Sequence, residues 1–393
     1  MVIHMGDHEE KYIYIPFDKL LQLQIDCFKG MGVPEEDAKI CAEVLMDADK
    51  KGIDSHGVGR LFMYYVRVKK NQQDPKTKIT VEKDMGAVAR LAAANGMGQP
   101  VSHKAMMMAI ERAKKFGIGM VTVGDSNHFG IAGYYARLAS ANGCIGICGT
   151  NARPSIAPTW GVEPLMGTNP LTVACPTDWK FDWCADHATS ITQRGKIEWY
   201  ARLKKPALEG WVINSKGECP TDTSQILKDM LTSDAALLPL GGAGEDMAGY
   251  KGYNYSVVVE ILSAALASAN FLTACFGFAN KDGKKVVVPY KLGHFFIAIN
   301  IEAFTELKTF KKTVGDMLRE IANSKKAPGA DHIYVAGEKE YNIEQERKKT
   351  GVPVSEETQL QMQQMFQEMK IDSTKYGIKW SVKYEGKADS QGW

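Results

Sequence analysis

Two short stretches place a histidine where a side chain can face a ligand instead of a core: Gly52-Ile53-Asp54-Ser55-His56-Gly57-Val58-Gly59-Arg60 and Gly124-Asp125-Ser126-Asn127-His128-Phe129-Gly130. In the first, a helix beginning at Ser55 would put His56 and Arg60 four apart, on one face. A helix N-terminus attracts anions, and a guanidinium grips a carboxylate through two parallel hydrogen bonds. The set suits a small carboxylic acid. The plainer reading makes Ser55 a cap, His56 a satisfied surface histidine and Arg60 a solvated charge. In the second stretch, His128 follows a buried strand and stands two residues before a glycine that admits close backbone approach. An imidazole there can take a proton from a hydroxyl whose carbon loses hydride, and return it in the reverse direction. The alternative is a loop histidine bonded to Asp125 or Ser126 for structure alone. The two stretches are expected to build one active site.

Weaker signals lie further on. The string Asp186-His187-Ala188-Thr189-Ser190, and Lys251 among glycines, are ordinary turn chemistry by themselves. Backbone amides and hydroxyls in such turns can nevertheless hold pyrophosphate oxygens, with Lys251 neutralising charge. No Gly-x-Gly-x-x-Gly hexamer stands between a strand and a helix: Gly242-Ala243-Gly244 fails at Met247, and Gly96-Met97-Gly98 fails at Val101. The P-loop pattern is missing too, so a nucleotide would bind by another route. His103, His187, His294 and His332 do not cluster at metal-ligand spacing, and no metal is expected. Met106, Met107 and Met108 read as core packing.

Apolar periodicity sets out the elements that must position these residues. Helices are predicted over 17–29, from Pro34 with its acidic first turn to near Gly52, and then from Ser55 onward. Residues 87–92 suggest a strand, 102–116 a helix, 118–123 a buried strand, 124–128 a polar loop and 131–140 a helix. Short strands follow at 144–148 and 171–175, then helices from Arg194 to Leu203 and around Val257 to Ala265, and a strand over 295–299. Helix returns at 314–323 and 356–369, with a charged stretch at 344–349 and a polar tail, 384–393, expected to fray. The pattern is helical ends around a mixed α/β centre. Residues 1–80 and 310–393 are assigned to a helical domain and 81–309 to a mixed domain.

At 393 residues the chain can bury a large core and fits two domains better than one. It carries 48 Lys and Arg against 46 Asp and Glu, with no basic stripe, which gives nucleic acid or an anionic membrane surface little to hold. The eight cysteines are scattered without a Cys-x-x-Cys pair, as for reduced, buried thiols. No segment reaches the roughly 20 apolar residues that span a bilayer, and the first twelve residues are too charged for a secretion signal. A cytoplasmic protein is expected.

Several collinear motifs carry a resemblance. Gly52-Ile53-Asp54-Ser55-His56-Gly57, Asn127-His128-Phe129-Gly130-Ile131-Ala132-Gly133-Tyr134-Tyr135-Ala136, Gly167-Thr168-Asn169-Pro170, Ala188-Thr189-Ser190, Arg194-Gly195-Lys196 and Gly337-Glu338 occur in an order that resembles the malate/L-lactate dehydrogenase family of the non-Rossmann type. Leu237-Leu238-Pro239-Leu240-Gly241-Gly242, Tyr250-Lys251-Gly252-Tyr253 and Gly293-His294-Phe295-Phe296 extend it, from about Phe17 to about Pro353.

The resemblance implies an α/β (α+β) fold. A largely antiparallel central sheet domain binds the nicotinamide dinucleotide, and both chain ends form a helical domain. It further implies a homodimer with its site in a cleft near the subunit interface. By the same carry-over, Ser55, His56 and Arg60 contact substrate, and His128 matches the proton-transferring histidine of some members; others assign that role to the equivalent of His56. Cofactor contacts fall on Asp186, His187, Ala188, Thr189, Ser190, Lys251, Gly293, His294, Gly337 and Glu338. His187 stands where the family usually has methionine. NAD is the expected cofactor, with NADP the alternative, and malate/oxaloacetate the expected substrate pair, with Arg153 or Lys251 as a candidate partner for the second carboxylate. Lactate, sulfolactate or ureidoglycolate dehydrogenase, a cyclic imine reductase, and an inactive binding protein remain as alternatives.

Overall fold

The computed structural model describes residues 12–386; the charged start of the chain and the end of the polar tail, residues 387–393, lie outside the described residues. The chain divides into two compact units, Met1–Lys76 with Glu340–Trp393, and Thr77–Lys339. The second unit thus includes the helix Leu307–Ala322, most of which the sequence reading gave to the helical ends.

In the first unit, the short strand Ile13–Ile15 pairs antiparallel with Val352–Val354, which ties the two chain ends together. Helices Phe17–Gly30, Glu35–Lys50, Leu61–Lys69 and Glu356–Met369 pack against one another in the same unit. Pro34 lies just outside its helix, and Glu35, Glu36 and Asp37 fill the first turn, where carboxylates complement the positive end of the dipole. Ser355 caps the last of these helices by accepting the Thr358 N–H. Leu20, Leu23, Phe28, Leu45, Leu61 and Tyr64 are fully buried, each contributing roughly 1.5–3 kcal/mol of transfer free energy.

Seven strands form the central sheet of the second unit: β1 Thr80–Asp84, β2 Val88–Ala92, β3 Ile118–Ser126, β4 Cys144–Thr150, β5 Leu171–Cys175, β6 Trp183–His187 and β7 Leu292–Asn300. Their spatial order is β1-β2-β3-β7-β4-β5-β6. Every neighbouring pair is antiparallel except β2 with β3. That one parallel pair is joined by the helix Gly98–Phe116, because strands running the same way need a long crossover. The fold is therefore mixed α/β with a largely antiparallel sheet.

The run Phe295-Phe296-Ile297-Ala298 is apolar throughout because β7 is the middle strand. Helix Gly98–Phe116 lies against it, as does the π-helical turn Ile261–Ala265 that continues the helix Gly249–Glu260. Helix Ala132–Ala141 covers β4 and β5. A smaller core gathers Ile156, Ile197, Trp211, Ile226 and Leu237 beneath helices Arg194–Arg202 and Thr223–Thr232. A hairpin absent from the sequence reading, Phe278–Lys281 with Lys284–Val287, turns through Asp282-Gly283, both at positive φ. None of the eight cysteines is in a disulfide, and all but Cys219 are buried.

Candidate active site

The first histidine segment leaves the helix Glu35–Lys50 through Gly52, at φ 72°. No helix begins at Ser55. A single 3-10 turn, Val58–Arg60, leads into the helix Leu61–Lys69, and Ser55 caps neither. The cause is Asp49: its buried carboxylate takes the Val58 N–H at 2.9 and 3.0 Å, the donor a capping side chain would need. His56 and Arg60 therefore do not sit four apart on one helical face. They converge by another route. The Ser55 hydroxyl lies 2.8 Å from His56 Nδ1, and Arg60 Nε donates to the Ser55 carbonyl. Packing strips water from the half-buried His56 ring and Arg60 adds like charge, so its pKa is pushed down to about 3.

His128 stands at the other end of a strand. β3 runs to Ser126, three residues beyond the predicted end, with an irregularity opposite Leu292 and His294, and with Asp125 at φ 49°. Asn127 then anchors the turn by donating to the carbonyls of Asn95 and Gly96 at 2.9 and 3.0 Å. The Gly130 N–H donates to His128 Nδ1 at 3.3 Å, a bond that assigns the proton of the neutral ring to Nε2. Ser126 bonds His294, and Asp125 faces Lys291 at 3.7 Å.

Several cofactor-contact residues inferred from sequence hold their own fold together. Asp186, at the end of β6, accepts the Gly133 N–H at 2.7 Å and the Thr172 hydroxyl at 2.7 Å, which places a carboxylate on the N-terminus of the helix Ala132–Ala141. Thr189 donates to the carbonyls of Thr168 and Asn169. Glu338 accepts the Val335 N–H and lies 2.8 Å from His332 Nε2. Gly337 is at φ 93°, and a Cβ there would come within 2.6 Å of the Asp182 carbonyl.

Gly293 and His294 are enclosed. The His294 ring is 0% exposed, with Nδ1 2.7 Å from Thr150 Oγ1 and Nε2 2.8 Å from Ser126 Oγ. Thr150 already donates to the carbonyls of Asn151 and Gly293, so His294 Nδ1–H donates to Thr150 and Nε2 accepts from Ser126. Burial pushes this histidine down to about 3 as well. A Cβ on Gly293 would lie 1.9 Å from the Ser263 carbonyl. Both residues fasten the sheet and offer no surface to a dinucleotide.

Three other positions, Ser190, His187 and Lys251, keep groups that could serve a dinucleotide. Ser190 Oγ is buried without a hydrogen-bond partner, His187 is exposed beside it, and Lys251 projects from the first turn of the helix that starts at Gly249. Gly241, Gly242 and Gly244, all at positive φ, lead into that helix. An orphaned hydroxyl, a helix N-terminus and a cation are what phosphate oxygens require. Among the described residues, no group of three or more His, Cys, Asp or Glu is placed to hold a metal ion, and no helix is long and apolar enough to cross a membrane.

The sequence reading missed two groups. One is Asp49 with Arg347, which brace the His56 segment. The other is Glu260, a nearly buried acid that accepts from Asn151 at 3.3 Å, Asn169 at 2.8 Å and the Leu272 N–H at 2.8 Å. It ties the end of β4 to the Gly167-Thr168-Asn169-Pro170 loop. Its signal was available: one acid within the apolar run Val257-Val258-Val259-Glu260-Ile261-Leu262.

The largely antiparallel central sheet, with no Gly-x-Gly-x-x-Gly between a strand and a helix, sets the chain apart from the Rossmann class of dinucleotide-binding folds. Residues 15–363 match the family described as malate/L-lactate dehydrogenase, and the chain belongs to that family. It is 42% identical to the malate dehydrogenase of Pyrococcus abyssi, over 89% of this chain and 93% of that one. To the L-sulfolactate dehydrogenase of Methanocaldococcus jannaschii it is 38% identical, over 90% and 97%. The crystal structure of malate dehydrogenase from Entamoeba histolytica superposes with a TM-score of 0.85 at 40% identity, covering 95% of this chain and all of that one. The protein is accordingly an oxidoreductase that works with a nicotinamide cofactor on a small organic acid.

Proposed function

We propose that this enzyme interconverts malate and oxaloacetate with NAD, as a cytoplasmic homodimer, and that His128 moves the proton while Ser55, His56 and Arg60 hold the substrate carboxylate. The observation that carries the division of labour is the contrast between the two histidines. His56, with its pKa pushed down to about 3, stays neutral near pH 7 and is a poor proton acceptor there. It can still orient a carboxylate through a hydrogen bond while Arg60 supplies the charge. Gly130 N–H holds the His128 ring at Nδ1; in reduction the imidazolium form of His128 gives one ring proton to the substrate oxygen and returns to the neutral ring, and in oxidation the neutral ring takes that proton back. When bound, the nicotinamide supplies or takes the hydride at the carbon that carries that oxygen.

Malate is favoured because two relatives named malate dehydrogenase, at 42% and 40% identity, stand above the sulfolactate enzyme at 38%. The related enzymes include one named for NADP and one named for NAD. The stretch from His187 to Ser190 carries no Lys or Arg, the cations that a 2′-phosphate would need nearby. Ser190 and Lys251 would hold the phosphates. For the homodimer, support comes from exposed Tyr255, Val258, Ile261, Leu266 and Phe271, along and just after the helix Gly249–Glu260. An apolar run of this kind marks an association surface.

The test follows oxidation of NADH and of NADPH by absorbance against oxaloacetate, pyruvate, sulfopyruvate, the 2-oxo acid of ureidoglycolate and a cyclic imino acid. Oxaloacetate with NADH is expected to give the highest kcat/KM. Turnover confined to the cyclic imine, or no turnover with any 2-oxo acid, overturns the reading.

A further inference from the structure

Asp49 is the last but one residue of the helix Glu35–Lys50 and is 1% exposed. Burying a carboxyl group there costs free energy that an apolar residue would not. Desolvation raises its pKa to about 7, although it accepts bonds from Val58 N–H and from Gln24 Nε2 at 2.9 Å. Among the described residues, no cation pairs with the carboxylate directly. Arg347 donates to the Asp49 carbonyl and forks onto Asp54 at 2.6 and 2.9 Å, so the same helix end is gripped from a second side. The carboxylate also fills the space beside Gly57, where a Cβ would lie 1.8 Å from Oδ1. Everything this costly group touches in the segment lies immediately after His56, at the peptide that begins the turn carrying Arg60.

We infer that Asp49 is a positioning residue for the substrate anchor: its carboxyl group fixes the backbone at Gly57 and Val58, and through it the aim of Ser55, His56 and Arg60. This rests on the reading of those three residues as the carboxylate site. The role needs an acceptor of this size and does not need a full negative charge. An asparagine can satisfy it, giving its oxygen to Val58 N–H and, with the Gln24 side-chain amide turned over, its amide to Gln24 Oε1.

The experiment compares Asp49→Ala, Asp49→Asn, Gly57→Ala and the Asp49→Ala/Gly57→Ala double variant. It measures KM for oxaloacetate, KM for the nicotinamide and kcat, with hydrogen exchange over residues 55–60. Losing a buried acceptor in Asp49→Ala is expected to raise the oxo-acid KM about tenfold, with the nicotinamide KM unchanged and exchange over 55–60 accelerated. Asp49→Asn, which keeps the volume, should stay within about threefold of the native enzyme. Gly57→Ala should be impaired, and the double variant should recover part of that loss because the clash is removed. An Asn variant as defective as Ala, equal changes in both KM values, or a double variant worse than Gly57→Ala would overturn the inference. If the native enzyme turns over no 2-oxo acid, the functional reading fails by itself; the exchange rates over 55–60 in the same four variants still decide whether Asp49 sets the segment.

Discussion

The segment around His56 and the corner around His128 do similar work, since each ends an element and each presents an imidazole beside small residues. They are fastened by different means. The first is irregular backbone held by buried polar groups, Asp49 on the Val58 N–H and Arg347 on Asp54. The second rests mainly on regular structure and packing: β3 delivers His128, Phe129 stacks on His294 with ring centroids 4.8 Å apart, and Asn127 adds its bonds to the turn. A loop with no sheet beneath it can be aimed only through specific bonds to its backbone, whereas a strand end inherits its direction from its neighbours. The first region should therefore fail through polar changes that leave the fold standing, the second through changes in packing.

The largest expected effect tests the chemistry assigned to the strand-end region. Replacing His128 by alanine should lower kcat by roughly 10²–10⁴-fold with saturating oxaloacetate, as for loss of a general acid. A loss confined to KM would move proton transfer to His56. Next comes the loop region. Arg60→Lys keeps the charge but loses the planar fork, and should raise the oxo-acid KM by about tenfold with a smaller change in kcat, read from the same absorbance assay. A third effect, on stability instead of turnover, sharpens the contrast in fastening. His294→Ala leaves the Thr150 and Ser126 hydroxyls without their ring partner and opens a cavity, which should lower stability by about 3 kcal/mol in thermal unfolding. Its native ring is neutral in the fold, with a pKa near 3 against about 6.5 when unfolded. Below about pH 6.5 the unfolded chain binds a proton that the folded ring refuses, so stability falls as pH drops toward about 3. The alanine variant should show a shallower acid slope; an unchanged slope would mean that the ring is already charged in the fold.

Those assignments were legible to different degrees. The helix Glu356–Met369 and the strand Leu171–Cys175 could be read directly, because clean periodicity survives in sequence. The family was legible because many weak motifs fall in one order. Ser55 was misread as a cap because a Ser ahead of apolar periodicity carries that signal, while its competitor for the Val58 N–H, Asp49, looks in sequence like any acid near a helix end. His294 is a cofactor contact only by carry-over from the family resemblance; the pairing of β7 with both β3 and β4 shows that each ring nitrogen meets a hydroxyl from a neighbouring strand. The hairpin at Asp282-Gly283 had a strong turn signal and was simply passed over.

The position of β7 also bears on how the chain is made. Its neighbours β3 and β4 are complete by Thr150, yet the strand between them ends at Asn300. During synthesis at about 5–20 residues per second, the two halves of the sheet wait on the order of ten seconds with facing edges unpaired. Both Ser126 and Thr150 meet their shared partner, His294, only when β7 arrives. The corner that carries His128 is thus among the last parts of the molecule to become rigid, and a nascent chain stalled before β7 would expose the edges that chaperones and aggregation compete for.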